Sequence, residues 1–152
     1  MLMQNGNIKK IWNLLNKIPD PEIPVISIVE LGAVRDVIFQ EDCYLISITP
    51  TYSGCPAIQT FEDDIEKSML ENQITNFKIQ KVYAPAWTTD WMNDQTKEKL
   101  KKYGISPPSK EAICPQCNSK NTSLISEFGA TACKSMHKCL DCLEPFEHFK
   151  CI

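Results

Sequence analysis

No run of apolar residues in this 152-residue chain approaches the roughly 18–20 needed to cross a bilayer, which excludes a helical membrane span. There is no excess of positive charge either. Sixteen Lys and Arg against 19 Asp and Glu give a formal charge of -3. A nucleic-acid backbone demands a clustered positive surface and is excluded as principal partner. The opening residues Met-Leu-Met-Gln-Asn-Gly lack the basic and apolar regions of a secretory signal, so a cytoplasmic chain is expected. Histidine is scarce: His137 and His148 are the two present, which leaves few general bases.

What is present is the composition of a soluble globular protein, 43% hydrophobic and 23% charged, long enough for a small domain plus a metal-stapled module. Its eight cysteines are unevenly spread. Cys43 and Cys55 stand alone, whereas Cys114, Cys117, Cys133, Cys139, Cys142 and Cys151 crowd the end. Without an export signal, that clustering reads as metal binding rather than a disulfide framework.

Taken in order, Ile8, Ile11, Trp12, Leu15 and Ile18 recur at helical spacing and predict a helix over 8–18 that packs on a sheet. Pro19, Pro21 and Pro24 then forbid helix and stiffen the backbone. Asp20 and Glu22 ride on that segment, either as solvated carboxylates or as groups with little entropy to lose on meeting a metal or partner. Val25–Leu31 suggests a helical turn ending at Gly32. Val34–Phe39 and Cys43–Thr49 predict a hairpin, Ala57, Ile58, Phe61, Ile65 and Met69 a helix, and Phe77–Tyr83 a third strand parallel to the second. The fold class is therefore α+β: a small mixed three-stranded sheet with helices packed on it, followed by a β-rich zinc ribbon. A helix over 93–102, capped by Asp90 or Asn93 and stopped at Gly104, precedes a Pro-rich linker. Domain limits are expected at 1–104 and 113–152, with 105–112 between them.

Sites in open α/β arrangements form beyond the carboxyl ends of strands. Two segments leave there, Thr49–Cys55 and Ala84–Trp91, so Cys55 is expected to approach Thr88, Thr89 and Asp90, with Trp87 and Trp91 as cover or core. Pro56 suits the first helical position, placing Cys55 at the N-cap, where unpaired amides and the helix dipole stabilise a thiolate. A small buried residue at a tight turn is the competing reading.

Cys114-Pro-Gln-Cys117 and Cys139-Leu-Asp-Cys142 match the two knuckles of a zinc ribbon, over an interval a little longer than the usual about 15–20 residues. Four protein ligands leave no open position, so structural zinc is expected. A rubredoxin-type iron centre uses the same ligands. Cys133, His137, His148 and Cys151 stay unassigned.

Asp20-Pro21-Glu22-Ile23-Pro24, Ser27-Ile28-Val29-Glu30-Leu31-Gly32, Thr49-Pro50-Thr51-Tyr52-Ser53-Gly54-Cys55-Pro56-Ala57 and Trp87-Thr88-Thr89-Asp90-Trp91-Met92 occur in one chain with two later motifs. These are Phe128-Gly129-Ala130-Thr131-Ala132-Cys133-Lys134 and Glu144-Pro145-Phe146-Glu147-His148-Phe149-Lys150. Over essentially its whole length the chain resembles the PaaD (PaaJ) family, in which a SufT-like iron–sulfur assembly domain carries a zinc ribbon. The resemblance implies a non-catalytic accessory protein of the multicomponent phenylacetyl-CoA epoxidase of aerobic phenylacetate breakdown, acting in assembly or insertion of a metal centre. Its expected partners are the oxygenase or reductase subunits, with no nucleic acid and no membrane. By the same resemblance Cys55 is the reactive cysteine, with Asp20, Glu22, Thr51, Thr89 and Asp90 as candidates to surround it. One thiolate with carboxylates is a poor cluster cage. It suits a transient ligand for iron or an iron–sulfur cluster, or a half-site completed by a client or by a second copy in a homodimer. A stable structural subunit with Cys55 merely packed is the alternative. A Cys55 nucleophile lacks a convincing base, because both histidines belong to the ribbon.

Overall fold

In the computed structural model, which describes residues 2–52 and 54–151, the chain divides after Trp87 into two units, residues 1–87 and 88–152. No helix among the described residues is long and apolar enough to cross a membrane.

The first unit opens with α1 (Leu2–Leu15), which begins earlier and ends sooner than the 8–18 periodicity predicts. The Lys17 and Ile18 amides turn back to the Leu14 and Leu15 carbonyls at 3.1 Å, and Pro19 stops any further turn. Ile11, Leu15 and Ile18 are buried as the spacing requires, and the helix packs on β1 and α2. β1 (Val34–Gln40) and β2 (Cys43–Ile48) form an antiparallel hairpin. Glu41 and Asp42 turn it with φ of 50° and 57°, the left-handed pair that a two-residue loop matching the strand twist requires. α2 (Ala57–Glu71) buries Ala57, Phe61, Ile65 and Met69 and leads to β3 (Phe77–Lys81), parallel to β2. The order β1-β2-β3 makes a mixed three-stranded sheet. Pairing of Ile48 with Lys81 brings the exits of β2 and β3 to one end.

The second unit begins with a 3-10 turn at Thr89–Trp91 and α3 (Asp94–Tyr103). Asn93 caps that helix by accepting from the Thr96 amide at 2.8 Å, and Gly104 closes it at φ 96°. The segment 105–112, expected as a linker, is not one throughout. Ile105–Ser106 form β4, buried and paired parallel to β7, so α3 and β4 belong with the ribbon; Pro107 and Pro108 end the strand after two residues. β5 (Thr122–Ser126), β6 (Lys134–Cys139) and β7 (Pro145–Phe149) complete a sheet of order β4-β7-β6-β5.

The two C-terminal motifs of the sequence pack on each other. Buried Lys134 reaches the Glu147 carboxylate at 3.5 Å, and that carboxylate also accepts from the Ala130 amide at 2.8 Å. A Cβ at Gly129 would meet Glu147 Oε2, so a larger residue there would have to push that carboxylate aside from Lys134 and Ala130. Lys150 ties the same loop, donating to the Ala132 carbonyl at 3.0 Å with its ammonium 4.4 Å from the Phe128 ring centre.

His148 lies opposite Ser135 in the β6–β7 register, edge-on to His137 with ring centres 5.5 Å apart. Its Nε2 is buried with no partner among the described residues. Burial, then the neighbouring His137, push its pKa from 6.5 down to about 4. Below about 6.5 the unfolded chain takes a proton that the folded chain refuses until about 4. Stability is therefore complete above that window and falls as pH drops through it, by at most about 1.4 kcal/mol per pH unit. Urea unfolding at pH 7 and pH 5 in constant excess zinc should show a smaller pH loss for His148→Gln than for the parent chain. Equal losses would remove His148 from the account.

Candidate metal centre and thiol site

Each Cys-x-x-Cys turn is shaped by its own backbone. The Cys114 amide donates to the Ser119 carbonyl and the Cys139 amide to the Glu144 carbonyl, both at 2.9 Å. Asn118 and Leu143, each just after a second cysteine, take φ of 62° and 67°. The knuckles are thus near copies. Asp141 joins them, accepting from Asn121 Nδ2 at 2.9 Å and from Ser119 Oγ, and those two bonds hold its carboxyl below the usual range.

The Sγ atoms of Cys114, Cys117, Cys139 and Cys142 lie within 4.8 Å of one another, with Cys114–Cys142 and Cys117–Cys139 both 3.6 Å apart. A tetrahedral ion with metal–sulfur bonds of about 2.3 Å has sulfur–sulfur edges of about 3.8 Å, so the four thiols fit one ion with every position filled by protein. The Cys142 amide, donating to Cys139 Sγ at 3.4 Å, pulls that thiol down to about 7 against the effect of burial. Cys133, His137 and His148 stand outside this group. Cys133 instead meets Thr131 Oγ1 at 2.9 Å, and His137 Nε2 meets Ser135 Oγ at 2.9 Å.

In the first unit Cys55 sits where the chain leaves β2 for α2, buried at 5% exposure. The expected capping is displaced by one residue. Pro56, already helical at φ -69° and ψ -20°, occupies the N-cap and makes no side-chain cap bond. Cys55 precedes it, its carbonyl accepting from the Ile58 amide at 3.4 Å. Gly54 enters at φ 76°. Thr51 Oγ1 donates to Cys55 Sγ at 3.9 Å, and Ser53 of this motif lies outside the described residues.

Asp20, one of the candidates to surround Cys55, has a part in its own loop. Among prolines that lack N–H groups, its buried Oδ1 accepts the amides of Glu22 at 2.9 Å and Ile23 at 2.8 Å, while its own amide donates to Ile26 at 2.8 Å. The carboxylate organises its loop, and Glu22 is half-buried beside it in sequence. Ser27 and Glu30 form a reciprocal capping box over the next turn, which Gly32 closes at φ 85°. The buried Trp87 indole donates to the Leu31 carbonyl at 2.9 Å. Thr89 and Asp90 belong to the second unit. There Thr89 is buried with its hydroxyl 3.9 Å from Cys151 Sγ, and the Asp90 amide donates to Thr88 Oγ1 at 3.3 Å. Sequence reasoning left the Ser119–Asp141–Asn121 clasp unnoticed, although a carboxylate inside a Cys-x-x-Cys turn is visible in the sequence.

The family model described as "PaaD zinc beta ribbon domain" matches residues 100–150, and that described as "Iron-sulfur cluster assembly protein" matches residues 8–74. The chain is 47% identical over 154 residues to the putative D component of the 1,2-phenylacetyl-CoA epoxidase of Escherichia coli K12, covering 95% of this chain and 93% of that protein. Among solved structures it is similar to a domain of unknown function, DUF59, from Bacillus anthracis, with TM-score 0.60 and 28% identity over 65% of this chain and 95% of that one. A conserved hypothetical protein of Thermotoga maritima shares the fold at TM-score 0.51 and 23% identity, over 60% and 91% of the two chains.

Two outcomes follow from this geometry. Chelation of the metal, or Cys139→Ser, should abolish amide-exchange protection in β5, β6 and β7 while β2 keeps its own; persistent ribbon protection in metal-free protein would contradict a structural ion. Asp20→Ala should lower the unfolding free energy by about 2–4 kcal/mol, because two amides lose their acceptor. Asp20→Asn keeps an acceptor oxygen and should cost clearly less, as read from urea denaturation.

Proposed function

The chain belongs to the PaaD family, and from that premise we propose that it is a non-catalytic maturation protein for a phenylacetyl-CoA epoxidase. In this reading it assists assembly or insertion of an iron or iron–sulfur centre. Cys55 binds the iron or cluster briefly as cargo, and the ribbon, held by structural zinc, docks onto an oxygenase or reductase subunit.

The observation that carries this reading is the thiol of Cys55 at the β2–α2 junction with the Thr51 hydroxyl directed at its sulfur. A thiol at the exit of a strand, where the chain turns into a helix, is held in place by backbone on both sides. A thiolate is a good ligand for iron, and few protein ligands make for easy release. The iron–sulfur assembly family model over residues 8–74 supports the same chemistry. Asp20 supports the frame of this unit through the two backbone amides it accepts.

The burial of Cys55 favours one second reading, a permanent subunit in which that residue is only packing. The epoxidase expressed with the wild-type chain, without it, or with Cys55→Ala, then purified free of it, separates the two. Maturation requires that the purified client be iron-poor and inactive unless the wild-type chain was present during expression, with Cys55→Ala folded yet no better than its absence. A client fully loaded in every case, whose activity returns when the chain is added back, would make the protein a working subunit and overturn the role given to Cys55.

A further inference from the structure

A cleft of about 170 Å³ opens in the second unit, between the end of α3 and the segment that leads into the first knuckle. Pro107, Pro108, Ile113 and Pro115 wall it, Cys114 contributes to it, and Lys101 is its single charged lining residue. Prolines present no amide donors. The hydroxyls at the rim are engaged: Ser106 Oγ accepts from the Ile113 amide at 3.2 Å, and Ser109 Oγ donates to the Glu111 carbonyl. The walls therefore offer hydrocarbon and few hydrogen bonds.

Small-molecule pockets run to about 300–1,000 Å³, whereas an apolar cavity of about 150 Å³ holds one benzene. The cleft accordingly has room for one side chain, not for a cofactor. Its electrostatics are one-sided. Lys101 is half-buried, and among the described residues neither it nor Lys102 and Lys110 forms an ion pair.

We propose that this cleft is a docking site for a partner polypeptide, which inserts one apolar side chain and sets an adjacent Asp or Glu against Lys101. The proposal rests on the docking role given above to the ribbon and specifies its chemistry. Because Cys114 both lines the cleft and begins the first knuckle, docking there requires the metal-folded ribbon.

The test titrates the zinc-loaded, 15N-labelled full chain with two probes, N-acetyl-Phe-Glu-amide and N-acetyl-Phe-Lys-amide. The acidic probe should shift the amides of Lys101, Ile113 and Cys114 saturably and bind about fivefold more tightly than the basic one, the factor expected of an exposed ion pair worth about 1 kcal/mol. Lys101→Glu, with zinc content unchanged, should reverse that order. Absence of shifts at the cleft, equal binding of both probes, or saturation at another surface would overturn the proposal. So would self-association of the chain that Lys101→Glu abolishes, since a second copy would then be the occupant. The maturation reading stands or falls separately, on the iron content of the client made with Cys55→Ala.

Discussion

Four thiols within 4.8 Å of one another are the constraint on which the second unit depends. One of its apolar clusters joins Ala112, Cys114, Cys139 and Phe146, so two of those four members are themselves candidate sulfur ligands, while Met92, Leu100, Ile105 and Phe149 are also buried in the same unit. Core and metal site are one object there. β5, at the free edge, has four exposed residues of five and adds little burial. An ion held by those sulfurs would couple the knuckles to that core, as in other small metal-held modules. The near-identical backbone of the two knuckles follows from that demand, because each has to aim two sulfurs at one point.

The first unit is stabilised differently. Ile11, Leu15, Ile46, Ile48, Phe61, Ile65 and Met69 are all buried to about 1% exposure or less, a conventional aliphatic and aromatic core. Its long loop from Ile18 to Ala33 is held by a chain of backbone and side-chain bonds in which Asp20, Ser27 and Glu30 each satisfy amides that the prolines and turns would leave unpaired. Cys55 lies between two elements of this core, β2 and α2.

Much of this was legible in the sequence, and the exceptions share a cause. Cysteine spacing identified the ribbon because two Cys-x-x-Cys turns have few other uses. The stripe Ala57, Phe61, Ile65 and Met69 located α2 because helical periodicity is a local property. Hidden features depend on partners distant in sequence. β4 was read as linker because two residues carry no period, and its pairing partner β7 lies some forty residues onward. The duty of Asp20 to its own loop was invisible behind the same motif that suggested a site. Cys55 missed the N-cap by one residue because proline's φ suits either position. His148 belongs to the same class: the burial of its Nε2 beside His137 follows from the β6–β7 register.

Two of the chain's sulfur sites thus make opposite demands. In the ribbon, four thiols enclose a point completely, which favours retention and leaves no position for a second partner. At the β2–α2 junction Cys55 is a single thiol with the Thr51 hydroxyl directed at it, whereas a cluster ordinarily takes about four protein ligands. For a protein meant to keep its cargo that scarcity would be a defect. Under the maturation reading it is the requirement, since the missing ligands have to come from the client, and transfer then proceeds by exchanging one sulfur for several. Under the same reading a closed site elsewhere in the chain would help for the same reason: an ion seated among the four ribbon thiols would leave those sulfurs unavailable to compete for a metal being delivered.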